Sequence, residues 1–274
     1  MTRTPGKLNR IRGVLVVAVL LGSASTAAMA EDLWLQWGGP NRDFKVDAKI
    51  VDKWEGDKPK VLWSRELGDG YSCIVADGRR LYTHYHVEDE AADVHDDVVV
   101  ALDPESGETL WEYRYPAPFT EKMLHDYGYG PRSTPLIVGD RLYTVGATAI
   151  LTCLDRNTGK RIWAEDLIKD HGAGLLVRGY GASPFAYKNM IILPIGKPDP
   201  VEGAEPSDDH HSVIAFDQAD GKVVWKNQDF GNTYASPFVY KFDGKDHLVV
   251  FGNDAIYGLN PMNGEGWWRH EHAG

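Results

Sequence analysis

Histidines and carboxylates gather in the first third of the chain, in an arrangement that could hold a metal ion. His84 and His86 stand two residues apart, so on a β-strand both side chains would project from one face, as paired metal ligands do. His95 follows within an acidic run whose carboxylates would also suit Ca²⁺. A solvated acidic loop is the interpretation we favour, because the spacing matches no defined metal motif. His84, His86 and His95 are thus candidate metal ligands.

A second group of residues could bind an anionic or sugar-like ligand. It lies in and beside the segments 115–131 and 168–180, which are rich in Arg, Tyr and His. Arginine would hold such a ligand through forked hydrogen bonds, and the rings would contact its body. The alternative, which we favour, is that Tyr129 and Arg132 only support the next strand. The candidate ligand or partner residues are His125, Asp126, Tyr129, Arg132, His171, Arg178 and Tyr180.

Motifs of conventional hydrolases do not occur in the sequence. It contains neither G-x-S-x-G nor H-E-x-x-H, and it has no glycine-rich loop of the kind that cradles phosphates. Isolated Ser, His and Asp residues are too common to indicate a catalytic group. We therefore predict no catalytic residue.

The elements that would position these residues come from an internal repeat. Four segments align without gaps over the pattern small-x-[Asp/Asn]-x3-Gly-x3-Trp. The Asp or Asn can hydrogen-bond its own backbone to start a turn, and the Gly supplies positive φ. The repeated Trp is predicted to dock one repeat on the next. These structural residues are Asp103, Gly107, Trp111, Asp155, Gly159, Trp163, Asp217, Gly221, Trp225, Asn260, Gly264 and Trp268.

Each turn lies between apolar stretches and follows a second hairpin, so each repeat should form four short antiparallel strands. Sheets of this size cannot bury both faces alone, and stacking them around an axis solves that problem. The sequence therefore predicts an all-β β-propeller. Its four-stranded blades span about 70–115, 132–167, 180–228 and 234–270, and a single strand precedes them at 60–67.

The N-terminus is typical of a secretory signal peptide. Basic residues precede an apolar run at 14–21, which is too short to span a bilayer, and Ala28-Met29-Ala30 forms a cleavage site. We expect a signal peptide at 1–30, an N-terminal cap at 31–59 and propeller repeats at 60–274, with a retained signal anchor as the alternative. The chain would be periplasmic or extracellular, with no membrane span after cleavage. Its net charge of −11 argues against nucleic-acid partners.

The repeated pattern resembles the tryptophan-docking motif of pyrroloquinoline-quinone-type (PQQ-type) propellers, the superfamily of quinoprotein alcohol dehydrogenases and BamB-like outer-membrane assembly factors. The segments 34–42, 130–135 and 181–184 are also similar to exported PQQ-binding-like β-propeller repeat proteins. The resemblance implies a ring of seven or eight blades, of which about four are present. We expect a fragment of such a ring, with a ring built from two chains as the alternative. The open blade face could self-associate.

Two functions follow from this resemblance. The first is a binding or scaffold module for a cell-envelope protein or ligand, without catalysis or a cofactor. The alternative is a quinoprotein (PQQ-dependent) alcohol dehydrogenase that holds PQQ with calcium at the ring axis. The resemblance implies two adjacent cysteines against the cofactor in such enzymes, whereas Cys73 and Cys153 lie in different repeats. The sequence therefore favours the binding module.

Overall fold

In the computed structural model, the described residues form an all-β structure without a helix. No described segment is therefore a helix that could cross a membrane. The predicted signal peptide, His125 and Asp126 lie outside the described part of the chain. The structure describes residues 33–46, 53–54, 56, 58–119, 123–124, 128–197 and 211–272.

Within the described residues, sixteen strands form four separate sheets of four strands each, and neighbouring strands are antiparallel and consecutive in sequence. The four-bladed architecture predicted from the repeats is confirmed. The first blade contains β1 (Val75–Ala76), β2 (Leu81–Asp89), β3 (Val94–Leu102) and β4 (Thr109–Pro116). The second contains β5 (Leu136–Val138), β6 (Arg141–Val145), β7 (Ile150–Asp155) and β8 (Arg161–Asp166). The third contains β9 (Phe185–Tyr187), β10 (Met190–Pro194), β11 (Val213–Asp217) and β12 (Val223–Asn227). The fourth contains β13 (Phe238–Phe242), β14 (Lys245–Phe251), β15 (Ala255–Leu259) and β16 (Gly266–Glu271).

The register inside each blade explains why the repeat begins with a small residue. The tryptophan of the fourth strand lies opposite that small residue on the third strand, and a β-bulge follows directly. At Gly258 a Cβ atom would lie 1.9 Å from a ring carbon of Trp268, so no larger side chain fits. The opposed pairs are Ala101–Trp111, Cys153–Trp163, Ala215–Trp225 and Gly258–Trp268.

The turn between the third and fourth strands follows the repeat chemistry. In the second blade, the Asp155 carboxylate accepts backbone hydrogen bonds from Asn157 at 3.0 Å and Thr158 at 2.9 Å. The Thr158 hydroxyl also donates to it, which contributes most to lowering the pKa of Asp155. Gly159 closes the turn with φ of 71°, a conformation that glycine adopts without strain.

The tryptophans of the first three blades each pack against the glycine turn of the next blade. The Trp111 indole lies against Gly159, where a Cβ would approach it to 2.4 Å, and its Nε1 donates to the Arg156 carbonyl at 3.0 Å. Trp163 repeats this contact with Gly221 and donates to the Gln218 carbonyl at 3.2 Å. Burial of these rings between blades removes a large apolar surface from water and holds neighbouring sheets together.

The single strand predicted at 60–67 is wrong, because these residues pair with no strand in the described part of the chain. Trp63 nevertheless docks as the other tryptophans do. Its ring lies against Gly107 and its Nε1 donates to the Pro104 carbonyl at 2.9 Å. Docking therefore depends on the tryptophan and the turn that it meets, and it does not require a paired strand.

Residues 33–46, which we call the strap, run along the first strands of the blades. The Trp34 carbonyl accepts a bond of 2.8 Å from the Ala76 amide in β1, and the Leu35 carbonyl accepts one of 2.8 Å from Ile137 in β5. Arg42 donates to the carbonyls of Pro184 and Pro237, just before β9 and β13. The strap thereby contacts all four blades on the side of their first strands.

Candidate functional site

The two ends of the blades differ in their connections. The docking end carries the tight glycine turns at 103–107, 155–159, 217–221 and 260–264. The connector end carries the segments that lead from the fourth strand of one blade to the first strand of the next. The described parts of these connectors are 117–119, 123–124, 128–135, 167–184 and 228–237. Arg132 and Arg178 lie on connectors, so strand order places both at the same end of the fold.

Two adjoining cavities open among these connectors, with volumes of about 300 Å³ and about 270 Å³. They share three lining residues, Trp37 from the strap with Tyr234 and Ser236 from the last connector, so we treat them as one connector pocket. The first cavity is lined by Trp37, Arg132, Arg178, Gly181, Ser183, Tyr234 and Ser236. The second is lined by Trp37, Arg42, Tyr234, Ala235, Ser236, Phe238 and Phe251.

Only some of the hydrogen-bond donors of the Arg132 guanidinium meet an acceptor among the described residues. Its Nη1 donates to the Gly130 carbonyl at 3.0 Å, and its guanidinium lies 5.7 Å from the centre of the Tyr71 ring. Its Nη2 is buried and meets no hydrogen-bond acceptor among the described residues. Burial lowers the pKa of Arg132, and the nearby charge of Arg178 lowers it further, against the opposing effect of two tyrosines. A buried donor of this kind favours an acceptor from outside the chain.

The pocket wall opposite Arg132 is formed by Tyr234. Its hydroxyl accepts a hydrogen bond of 3.0 Å from the backbone amide of Arg178, which fixes the ring relative to the preceding connector. Gly181 provides the space for this ring, because a Cβ atom there would lie 2.8 Å from the ring carbon Cδ1. The absence of a side chain at Gly181 thus sets the width of the pocket.

Serine hydroxyls link the connectors beside the pocket. The Thr134 amide donates to Ser183 Oγ at 2.9 Å, and the Ser183 amide donates to Ser236 Oγ at 2.8 Å. Each of these three residues precedes a proline at the entry to a first strand. Both serine oxygens act as acceptors here, so each hydroxyl proton remains available for donation into the pocket.

Arg42 carries a third positive charge to the connector pocket. Its Nε donates to the Gln36 side chain at 2.9 Å, and its guanidinium lies 4.8 Å from the centre of the Phe185 ring. Burial lowers its pKa to about 10. The carbonyls of two prolines satisfy this buried charge in place of a carboxylate, so Arg42 both fastens the strap and keeps the site cationic.

The remaining described candidates from the sequence lie away from the pocket. Tyr180 is buried and donates to the Pro194 carbonyl at 2.8 Å, and burial raises its pKa far above the ordinary value. His171 pairs with Glu165 at 3.0 Å and packs edge-on against Phe216. Tyr129 packs against the rings of His86 in the first blade and of Phe119 on the connector. The structure therefore brings together only Arg132 and Arg178 of the five described candidates.

Sequence reasoning missed the rest of the pocket. Trp37, Gly181, Ser183, Tyr234 and Ser236 were not among the candidates. One signal was present in the repeats, since a Ser or Thr precedes a Pro at the start of three blades. A ladder of hydroxyls around the first strands could have been inferred from that pattern.

The histidine cluster is buried. His84 and His86 both face Asp97 from β2, as their spacing predicted, with His86 Nδ1 at 2.9 Å and His84 Nε2 at 3.6 Å from its carboxylate oxygens. Tyr115 of β4 donates to Asp97 at 3.2 Å and lies 3.2 Å from His84 Nε2. Burial lowers the pKa of His84 to about 4 and raises that of Tyr115 well above its usual value. This chemistry stabilises a neutral histidine beside a carboxylate.

His95 does not join that carboxylate. Its Nδ1 pairs with Glu88 at 3.4 Å on the hairpin of β2 and β3. These strands extend through most of the acidic run, so the solvated acidic loop that the sequence favoured is largely paired strand. Within the described ranges, no group of three or more His, Cys, Asp and Glu residues is arranged to hold a metal ion.

Comparison with known proteins places this fold in a family. The family model described as "Outer membrane protein assembly factor BamB" matches residues 49–197 and 95–274. A protein of that name from Alteromonas naphthalenivorans is 31% identical over 171 residues, which are 58% of this chain and 37% of the relative. The quinoprotein ethanol dehydrogenase of Pseudomonas aeruginosa is 26% identical over 261 residues, or 86% of this chain and 37% of that enzyme.

Among solved structures, a europium-containing methanol dehydrogenase superposes with a TM-score of 0.52 at 16% identity. The match covers 73% of this chain and 41% of that one, and it shows a common fold. The chain thus spans 37% of the length of the curated relatives named above. Because the family model matches most of the chain, the protein belongs to the family of PQQ-type repeat propellers described as outer membrane protein assembly factor BamB.

Proposed function

We propose that this protein is exported and acts as a binding or scaffold module for a cell-envelope protein or ligand, without catalysis of its own. The observation that carries the proposal is the connector pocket, which is lined by Trp37, Tyr234 and Arg132, a residue with a buried donor that meets no acceptor among the described residues. Loops on a rigid scaffold are the usual place for recognition. The relatives named as outer membrane protein assembly factors support a partner in the cell envelope.

Two features of the sequence support export and the class of partner. The basic and apolar pattern of residues 1–30 is typical of a signal peptide. The net charge of −11 disfavours nucleic acids, which are themselves anionic. Sizing and mass analysis of protein recovered from the periplasm would test export, and an uncleaved cytoplasmic chain would contradict it.

Variants of the two pocket arginines test the proposed binding surface. Arg132→Ala and Arg178→Ala should each weaken partner binding by about 1–3 kcal/mol if each makes a charge-assisted contact, with little change in Tm. Arg114→Ala is the matched control, because Arg114 is an exposed arginine of β4 that pairs with Glu112. The measurement is quantitative capture of crosslinked envelope proteins beside thermal melting. If the pocket variants unfold early, these arginines are structural supports.

The alternative activity, PQQ-dependent alcohol oxidation, is suggested by the relative named quinoprotein ethanol dehydrogenase. Bound PQQ would supply the redox chemistry in such an enzyme. Two observations argue against that cofactor in this chain. The strap forms backbone hydrogen bonds with β1 and β5, which are the first strands of the first two blades. Cys73 is exposed, whereas Cys153 is buried in the second blade.

We therefore expect the purified protein neither to bind PQQ nor to oxidise alcohols when PQQ and Ca²⁺ are added. Fluorescence titration with PQQ and a dye-linked oxidation assay measure the two properties separately. Saturable binding at micromolar PQQ, or turnover of ethanol, would favour the oxidoreductase.

A further inference from the structure

We propose that the connector pocket is a carboxylate-binding site, which accepts a carboxylate attached to an apolar body the size of one or two side chains. This inference rests on the proposed binding function, and it names the chemistry that such a module recognises. It follows from three properties of the pocket: its hydrogen-bond donors, its charge and its walls.

The available hydrogen-bonding groups of the pocket are donors. Arg132 Nη2 is buried without an acceptor among the described residues. The hydroxyls of Ser183 and Ser236 already accept backbone amides and donate to no residue in the described ranges. A ligand that satisfies these three groups must present acceptors. A carboxylate offers two oxygens with several acceptor positions, and the fork of an arginine matches its geometry.

The charge of the pocket selects an anion. Arg132, Arg178 and Arg42 line it, whereas none of the described carboxylates does. Neither Arg132 nor Arg42 lies within ion-pair distance of a carboxylate in the described part of the chain. This cationic site stands out in a chain with 40 acidic and 29 basic residues. A bound anion would offset the burial that disfavours the charged form of Arg132.

The walls add the preference for an apolar body. Trp37 and Tyr234 flank the donors, and Phe238 and Phe251 extend the apolar surface into the adjoining cavity. A volume of about 300 Å³ is enough for a small molecule or an inserted side chain. The cavity beside His86 offers an internal contrast, because Asp69 and Glu88 line it and would repel a carboxylate.

Two sources could present this chemistry: a free organic acid, or an acidic side chain next to an apolar one on an envelope protein. Both depend on the same contacts in the pocket. The experiment therefore uses one pair of probes for each source, and each pair differs only in its charge.

The first test uses 3-phenylpropionate and its neutral amide, 3-phenylpropionamide, with the purified protein in a calorimetric titration. The acid should bind at least about tenfold more tightly than the amide, because only the acid makes a charge-assisted pair with Arg132. Arg132→Gln should remove this preference and leave binding of the amide unchanged. Arg132→Lys should restore part of it, since the charge returns without the fork. Arg114→Gln, the exposed control, should behave as the wild type.

Gly181→Ala separates shape from charge. The added methyl group must displace the Tyr234 ring, so binding of the acid and the amide should weaken by the same factor. Gly181 has no positive φ, so the alanine adds no backbone strain of that kind. Equal weakening locates both probes in the connector pocket. If Gly181→Ala leaves both affinities unchanged, the probes bind elsewhere and the proposal fails.

The second pair of probes is acetyl-Phe-Glu-Phe-amide and the matched peptide with Gln in place of Glu. Selective binding of the Glu peptide indicates an acidic side chain of a protein partner, and selective binding of 3-phenylpropionate alone indicates a free acid. No preference for the charged member in either pair overturns the inference. If the wild type captures an envelope protein and Arg132→Gln captures it equally well, the binding function stands and the carboxylate site is wrong.

Discussion

The docking end and the connector end of the same four blades are built from different kinds of residue. At the docking end, Trp63, Trp111 and Trp163 make the same contact with three successive glycine turns. At the connector end, the pocket uses residues that occur once, such as Trp37 and Tyr234. Packing between blades recurs at every interface, so the residues that make it are repeated. A pocket for one ligand needs residues that occur only at that place. Under the proposed function, the docking end provides stability and the connector end provides binding.

The docking contacts also differ among themselves. Trp163 is 9% exposed and lies against Gly221 of the following blade. Trp225 packs against Gly264, but its Nε1 has no acceptor in the described part of the chain. Trp268 is 41% exposed and donates to His247 of its own blade at 3.0 Å. The docking residue is thus present in every repeat, and its stabilising effect should depend on what it meets.

The largest effect is expected at a docking turn. Gly159→Val places a β-branched residue at φ of 71° and directs its Cβ to 2.4 Å from the Trp111 ring. We expect a loss of at least about 3 kcal/mol of stability from strain and displaced packing. Gly244→Val is the matched control, since Gly244 has φ of 72° with no atom within 4 Å of the added Cβ.

Urea unfolding of the two variants measures the difference. Both should lose stability through backbone strain, but only Gly159→Val should also lose the contact between the first two blades. Equal losses would mean that the close approach of Trp111 contributes nothing beyond the turn.

Tryptophan truncation should reveal the gradient along the docking end. Trp163→Ala removes a ring buried between two blades and should cost about 3–5 kcal/mol. Trp268→Ala removes a ring that is 41% exposed and lies against no following blade among the described residues, so it should cost about 1 kcal/mol. Thermal and urea unfolding of both variants tests this order. A larger loss for Trp268→Ala would show that its contact with His247 supports the last blade more than interblade docking supports the middle ones.

Sequence reasoning succeeded for the contacts that recur in every repeat. The turn chemistry of Asp155 and Gly159 is local, so spacing alone predicted both the hairpin and the tryptophan that follows it. The pocket depends on contacts over long sequence separations. Trp37 meets Tyr234 and Ser236 only because the strap crosses the blades, and no local pattern encodes that path. Tyr180 shows the opposite error. The sequence offered this ring on a connector as a ligand residue, but its hydroxyl donates to the Pro194 carbonyl inside the fold.

The pH dependence of stability tests whether the buried histidine cluster of the first blade stabilises the fold. His84 faces Asp97, His86 and Tyr115, and burial lowers its pKa from 6.5 to about 4. Between pH 6.5 and about pH 4, His84 is protonated in the unfolded chain and neutral in the folded chain. The contribution is therefore complete above pH 6.5 and is lost as the pH falls toward 4, by up to about 3 kcal/mol.

The check is urea unfolding at pH 7, 5.5 and 4.5 for the wild type and His84→Gln. The variant cannot take up the proton in its unfolded state, so it should lose less stability over this range. Parallel curves for the two proteins would show that His84 is protonated, or exposed, in the folded state.

The smallest effect concerns an exposed apolar cluster on the fourth blade. Phe242 is 64% exposed, and both it and Trp267 contact His247, which also accepts the Trp268 indole. An apolar cluster of this kind tends to be covered by another protein surface. We expect residues 31–274 to self-associate weakly through it, in the micromolar range, with a second copy covering the cluster. Sedimentation velocity over a concentration series measures this. Phe242→Ser with Trp267→Ser should shift the midpoint about tenfold higher, whereas Leu110→Ser, at another exposed apolar position, should leave it unchanged. A monomer at all concentrations would contradict the expectation and would mean that docking requires the glycine turn as well as the exposed tryptophan.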